Sequence, residues 1–159
     1  MIFSKSSISK TRLLVIDFDG VMTDGGIYLN ENGDSFRRFD VKDGLGIKLL
    51  QKHLIHIAII SGSNSKTIRL RGEALGINII RVGISDKLSE LQSIQTKLNI
   101  TPLETLFLGD DINDLTVLNS VNAFIVPANA HEACKEKASL IANSKIGRAH
   151  VWTPVTDVS

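Results

Sequence analysis

The chain has 159 residues, 43% apolar and 22% charged, with a formal net charge of +1. That suits one soluble domain with one core. It gives no electrostatic case for nucleic acid or an anionic membrane, and 5% aromatic residues leave no base-stacking surface. A single cysteine, Cys134, excludes an intrachain disulfide and points to a reducing, cytoplasmic setting. The first residues are polar, without the apolar stretch of a signal peptide, and no apolar run approaches the length of a membrane span.

Residues 1–11 read as a polar lead-in. Leu13-Leu14-Val15-Ile16 then marks a strand buried on both faces, over about 12–17. It ends in Asp17-Phe18-Asp19-Gly20, two carboxylates two residues apart and so able to face one site. Thr23-Asp24-Gly25-Gly26 is a turn. Ile27-Tyr28-Leu29 and Ser35-Phe36-Arg37-Arg38-Phe39, around Asn32-Gly33, predict a β-hairpin. It is either a flap over the carboxylates or a plain surface hairpin. Asp43 is placed to cap a helix through Leu45, Ile47, Leu49 and Leu50.

A second buried strand, 55–60, ends in Ser61-Gly62-Ser63-Asn64-Ser65, a small polar turn able to offer N–H and hydroxyl groups to an anion. A helix follows to about Leu75, with Gly76 as its C-terminal stop. Ile77 to Val82 predicts a third strand. Ser85 or Asp86 can cap the next helix, which carries Leu88, Leu91, Ile94 and Leu98. Lys87 then sits in its first turn, where the helix dipole disfavours a cation. Pro102 suits a helix start. Leu106-Phe107-Leu108 is a fourth buried strand, ending in Gly109-Asp110-Asp111-Ile112-Asn113-Asp114. Such crowded hard oxygen donors suit magnesium rather than zinc. A helix over 115–121, a strand over 123–126, a short helix over 130–138 and a last strand over 140–142 complete the order. Strands alternating with helices predict an α/β fold with a parallel sheet. If the acid-bearing strands are neighbours, their polar ends share one rim.

Those groups can assemble a phosphoryl-transfer site. Asp17 is the candidate nucleophile and Asp19 the acid/base. Ser61 and Lys87 are donors to phosphate oxygens. Mg²⁺ would be held by Asp17, the Asp19 carbonyl and Asp110.

Asp17-Phe18-Asp19-Gly20-Val21, Ser61-Gly62, Lys87 and Gly109-Asp110-Asp111-Ile112-Asn113-Asp114 resemble, in order, the four motifs of the haloacid dehalogenase superfamily. Further stretches resemble its 3-deoxy-D-manno-octulosonate 8-phosphate phosphatase branch. These are Asp24-Gly25-Gly26-Ile27-Tyr28, Asn32-Gly33-Asp34, Phe39-Asp40-Val41-Lys42-Asp43-Gly44-Leu45-Gly46-Ile47, Arg71, Leu75-Gly76-Ile77 and Gly83-Ile84-Ser85-Asp86-Lys87. The resemblance covers about residues 11–144. It implies a Rossmann-like fold without a large cap domain, a hairpin that assists a homotetramer, and sites closed by neighbouring subunits. It also implies substrate contacts at Asp40, Val41, Lys42, Asp43, Gly44, Lys48, Arg71 and Lys87. For a sugar acid carrying a carboxylate and a phosphate, the lysines and arginine are sensible partners.

The chain departs from the branch at two points. Ser63 stands where the octulosonate enzymes usually carry arginine, which keeps nonulosonate 9-phosphates open as substrates. The ending Ile146-Gly147-Arg148-Ala149-His150-Val151-Trp152-Thr153-Pro154-Val155-Thr156 replaces a glycine-rich segment and helix, and resembles a translated sequencing-library adaptor. The expected organisation is thus a phosphatase domain over 1–145 and a non-native or divergent tail over 146–159. The expected reaction is Mg²⁺-dependent hydrolysis of octulosonate 8-phosphate through an aspartyl-phosphate. The alternatives are the nonulosonate phosphatase, a phosphotransferase, and a non-catalytic assembly module of an acylneuraminate cytidylyltransferase.

Overall fold

A computed structural model of the chain describes residues 9–142. The expected tail at 146–159 lies outside the described residues. Six strands form one parallel sheet: β1 (Leu13–Ile16), β4 (His56–Ser61), β5 (Ile79–Val82), β6 (Thr105–Leu108), β7 (Ala123–Pro127) and β8 (Leu140–Ala142). Their spatial order is β5-β4-β1-β6-β7-β8. The chain therefore leaves β1 toward one edge and later returns to fill the other, which makes β1 the switch point where open α/β sheets bind ligands. Its register is Leu13 to Ile16 against His56 to Ile59 on one side and Thr105 to Leu108 on the other. All four β1 residues are fully buried, as an aliphatic strand covered on both faces must be.

Alternation along the strands divides the core into two layers. Leu14, Ile16, Ile57 and Ile59 pack with Ile47 and Leu50 of α1 (Val41–Lys52) and Ile68 of α2 (Lys66–Ala74). Leu13, Val15, Ala58, Ile60, Phe107 and Phe124 pack on the opposite face, with Leu91 and Ile94 of α3 (Lys87–Leu98), Val117, and Cys134 of α4 (Glu132–Lys137). Cys134 is a packing residue there, and burial pushes its thiol up to about 11. Among the described residues, no helix is long and apolar enough to cross a membrane.

Three local details differ from the sequence expectations. Asp40, not Asp43, caps α1, its carboxylate accepting from the Lys42 N–H at 2.9 Å; Asp43 lies inside the first turn and is buried. The predicted helix after β6 is a 3₁₀ stretch, Ile112–Ser120. Its β-branched and short polar residues are poor α-helix formers, and its first turn is pinned by a reciprocal Asp111–Asp114 cap. The expected hairpin forms, but its strands β2 (Tyr28–Leu29) and β3 (Ser35–Phe36) are only two residues each, with Ile27, Tyr28, Leu29 and Phe36 exposed.

One loop residue stores strain. Leu54, between α1 and β4, has φ of 60° and is 86% exposed. The left-handed conformation costs a residue with a Cβ about 1–2 kcal/mol, and an exposed side chain returns little. Leu54→Gly is therefore expected to raise stability by roughly 0.5–1 kcal/mol after its larger unfolded-state entropy is counted. In a thermal melt that is a gain of about 1–4 °C.

Candidate active site

The sheet's C-terminal rim carries an open cleft of about 360 Å³, lined by Asp17, Asp19, Gly20, Gly25, Ser61, Gly62, Ser63, Asp110, Asp111 and Asn113. The ends of β1, β4 and β6 all contribute, as neighbouring acid-bearing strands require. Asp17 continues β1 by one residue, its N–H donating to the Leu108 carbonyl at 2.8 Å. The chain then turns sharply, with the Met22 N–H donating to the Phe18 carbonyl at 2.9 Å and the Gly20 N–H to the Thr23 hydroxyl at 3.1 Å. Gly20 needs to be glycine twice over. Its φ is +95°, and a Cβ there would overlap the Asp110 carboxylate.

Lys87 explains its place against the helix dipole. It opens α3 but its side chain turns inward, 2% exposed, and its Nζ donates to Asp17 Oδ1 at 2.7 Å and Asp114 Oδ1 at 2.6 Å. Asp114, fully buried, accepts on its other oxygen from the N–H groups of Asp110 and Asp111 at 3.0 and 3.2 Å. That fixes the loop which presents Asp110. Packing is close: a Cβ on Gly109 would lie 2.6 Å from Asp114 Cγ.

Carboxylate oxygens of Asp17, Asp110 and Asp114 lie within 4.8 Å of one another. With one ammonium among three carboxylates, the fully ionised cluster carries two negative charges in excess. The pKa directions follow. Burial, then repulsion from Asp114, pushes Asp17 up to about 7 despite its bond to Lys87. Burial, then Asp17, Asp114 and Asp111, pushes Asp110 up to about 7. Burial works against the Lys87 ammonium, but Asp17 and Asp114 outweigh it and raise its pKa. One lysine gains from every carboxylate, while each carboxylate is repelled by the others. Asp110 Oδ1 is buried without a hydrogen-bond partner. A donor set of oxygens, an excess of two negative charges and an orphaned carboxylate oxygen fit a hard divalent cation. The residues placed to hold it are Asp17 and Asp110, with Asp114 behind them.

Stability then depends on pH in a stated direction. Both raised carboxyl groups bind protons in the folded state between 3.8 and about 7, where the unfolded chain has released them. Their contribution is full below the lower value and is lost as pH rises through the upper one. The melting temperature of metal-free protein is expected to be lower at about pH 8 than at about pH 5, with Mg²⁺ stabilising more at the higher pH. Melts in chelator and in Mg²⁺ check this. Equal Mg²⁺ shifts at both pH values would count against a cation at these carboxylates.

Asp19 lies beyond the strand and faces the cleft from the turn. Its carboxylate is held by Arg37, a residue the sequence reading did not select: Nε donates to Oδ1 at 2.6 Å and Nη2 to Oδ2 at 3.1 Å. Nothing local in the sequence singles out Arg37. It is 18 residues from Asp19 and is one of two adjacent arginines after a hairpin.

The structure thus brings together Asp17, Asp19, Ser61, Lys87 and Asp110. The other expected substrate positions, Asp40, Val41, Lys42, Asp43, Gly44, Lys48 and Arg71, do not line the cleft. They lie at the N-terminus and first turns of α1, with Arg71 on α2. The Arg71 guanidinium lies 5.3 Å over the Phe39 ring and donates to the Asp40 carbonyl at 3.2 Å. Phe39 meets Phe18, between Asp17 and Asp19, edge to face at 5.7 Å. Val41, Lys42 and Lys48 are exposed.

Residues 47–146 match the family model of haloacid dehalogenase-like hydrolases. The chain is 37% identical to the 3-deoxy-D-manno-octulosonate 8-phosphate phosphatase KdsC of Yersinia pestis, over 88% of this chain and 75% of that one. A crystal structure of the Yersinia pestis phosphatase superposes with a TM-score of 0.92 at 35% identity, covering 97% of this chain and 83% of that one. The corresponding Moraxella catarrhalis enzyme, solved with magnesium, phosphate and 3-deoxy-D-manno-octulosonate, gives 0.92 at 30% identity, covering 97% of this chain and 88% of that one.

Proposed function

The chain belongs to the haloacid dehalogenase-like hydrolases, in the branch of the 3-deoxy-D-manno-octulosonate 8-phosphate phosphatases, and on that premise we propose that it hydrolyses 3-deoxy-D-manno-octulosonate 8-phosphate to the free sugar acid and phosphate. The observation that carries the reading is the buried Asp17–Lys87–Asp114 cluster with Asp110 beside it, whose Asp17 and Asp110 line a cleft that Asp19 also lines. The magnesium, phosphate and sugar acid in the Moraxella catarrhalis structure support it.

In this reading the Asp17 carboxylate attacks phosphorus and forms an aspartyl-phosphate. Asp19 gives a proton to the departing sugar oxygen, then takes one from the water that attacks the acyl phosphate. Lys87 holds Asp17 in place and meets negative charge on the transferring group. The Ser61 hydroxyl and the Gly62 N–H offer donors to the phosphate oxygens. Asp17, the Asp19 carbonyl and Asp110 would hold Mg²⁺, which when bound would supply the positive charge that lets a carboxylate approach a phosphate dianion.

The sugar's carboxylate is assigned to Lys42, Lys48 and Arg71, with Asp40, Val41, Asp43 and Gly44 as the other substrate positions that the family resemblance implies. None of these positions lines this chain's own cleft, and the exposed ones, Val41, Lys42 and Lys48, are placed opposite a neighbour's cleft, in a homotetramer. The exposed apolar hairpin and Val41, Leu45 and Leu49 of α1 supply surface for such contacts. The setting is cytoplasmic, and residues 1–145 form the phosphatase domain. The test is phosphate release with Mg²⁺ from octulosonate 8-phosphate, two nonulosonate 9-phosphates and plain hexose phosphates. Preference for octulosonate 8-phosphate is the expected result. Faster release from a nonulosonate would move the assignment to that sugar, and release from none would overturn the phosphatase reading.

A further inference from the structure

Arg37 leaves the hairpin at the end of β3 and runs inward instead of outward. Its side chain is only 4% exposed. The guanidinium has five N–H bonds, and four are directed at this chain's own oxygens. Nε and Nη2 grip the two oxygens of Asp19 at 2.6 and 3.1 Å. Nη2 also donates to the Ser63 hydroxyl at 3.1 Å, and Nη1 to the Ser65 hydroxyl at 2.9 Å. Those serines are themselves fixed. Ser65 caps α2 by accepting from the Thr67 N–H at 3.3 Å, and the Ser63 N–H donates to Ser61 Oγ at 3.2 Å. One side chain thus joins three segments: the hairpin exit, the turn after β1 and the turn after β4.

This arrangement decides between two roles for a buried arginine at a phosphate site. A substrate clamp needs free donors facing the cleft. Arg37 has spent nearly all of its donors on protein oxygens and is not among the cleft-lining residues, whereas Asp19 and Ser63 are. We propose that Arg37 is a positioning residue, which holds the Asp19 carboxylate in the orientation that proton transfer to the leaving oxygen requires. The proposal rests on the phosphatase reading, with Asp19 as its acid/base. It also gives Ser63 a definite place, as one of two hydroxyls that orient the guanidinium. A bidentate fork fixes both the direction and the tilt of a carboxylate. Asp19 needs this because it stands on a turn beyond the strand, with its side chain 31% exposed.

Leaving-group chemistry provides the test. A sugar alkoxide leaves poorly without a proton, while p-nitrophenolate leaves readily without one. General acid catalysis is worth about 10²–10⁴-fold where it is needed. Arg37→Ala is therefore expected to lower kcat for octulosonate 8-phosphate by about 100-fold. KM should change little, and kcat for p-nitrophenyl phosphate should fall less than about 10-fold. Asp19→Ala should give the same selective loss, and adding Arg37→Ala to it should cost nothing further on the sugar phosphate. Arg37→Lys keeps the charge without the fork and should show a smaller loss of the same selectivity. It carries the test if Arg37→Ala does not fold. Equal losses on both substrates, or losses that multiply in the double variant, would overturn the proposal. Wild-type protein that cleaves neither substrate would overturn the phosphatase reading itself, and this inference with it.

Discussion

Asp17→Asn is expected to abolish phosphate release while leaving a protein that folds at least as well as the wild type without metal. An amide cannot form the acyl phosphate, and removing a nucleophile typically costs roughly four or more orders of magnitude in kcat. Folding should respond differently. Asp17 is one of three clustered carboxylates sharing one ammonium, and burial with repulsion from Asp114 already holds its pKa up at about 7. Asparagine keeps the shape, can still accept from Lys87, and removes one of the mutually repelling charges. The metal-free melting temperature at about pH 8 should therefore stay level or rise. The added stability from Mg²⁺ should shrink, because a ligand charge is gone. Inactivity together with a lowered metal-free melting temperature would mean that Asp17 is a structural partner of Lys87 rather than a strained nucleophile.

The sheet was legible because its evidence is local. Leu13 to Ile16, Ile57 to Ile60 and Leu106 to Leu108 are apolar runs of strand length, each followed by small polar or acidic residues, and all three are buried side by side. Asp17, Asp19, Ser61 and Asp110 could be read off as a set because each stands just past such a strand. The order of the strands then puts them on one rim. Lys87 was legible through a conflict, a cation in the first turn of a helix, which its inward bonds to Asp17 and Asp114 resolve. What could not be read depends on contacts that leave no local pattern. Arg37 reaches Asp19 across 18 residues and Ser65 across 28. Asp114 looked like one acid in a ligand-rich loop, yet its bonds to two backbone N–H groups and Lys87 make it the loop's anchor. The cap at Asp40 rather than Asp43 is a choice between two good capping residues three apart, which local sequence does not resolve. The substrate positions of α1 show a different gap. Residues named by resemblance, Lys42, Lys48 and Arg71 among them, lie outside this chain's cleft, and no local pattern ties them to it.

Asp114→Asn should be among the most damaging isosteric changes in the chain. Asp114 is fully buried and receives hydrogen bonds on both oxygens, from the Lys87 ammonium on one and from the Asp110 and Asp111 N–H groups on the other. An amide has only one acceptor atom. Whichever way asparagine is turned, its NH₂ faces either an ammonium or two backbone donors, and one side is left unsatisfied. Lys87 keeps Asp17 as a partner, but buried donors left without an acceptor inside the fold cost on the order of 3 kcal/mol together. In a chain of this length that lowers the melting temperature by about 10 °C. Activity should fall further than stability explains, since the loop that presents Asp110 loses its tether and Lys87 is free to leave Asp17. Asp114→Glu should not restore it, because Gly109 already packs so closely that a Cβ would stand 2.6 Å from Asp114 Cγ. Thermal melts and phosphate release measured below the lowered midpoint separate the two losses. Normal activity in folded Asp114→Asn would show that Lys87 and Asp110 hold their places without it.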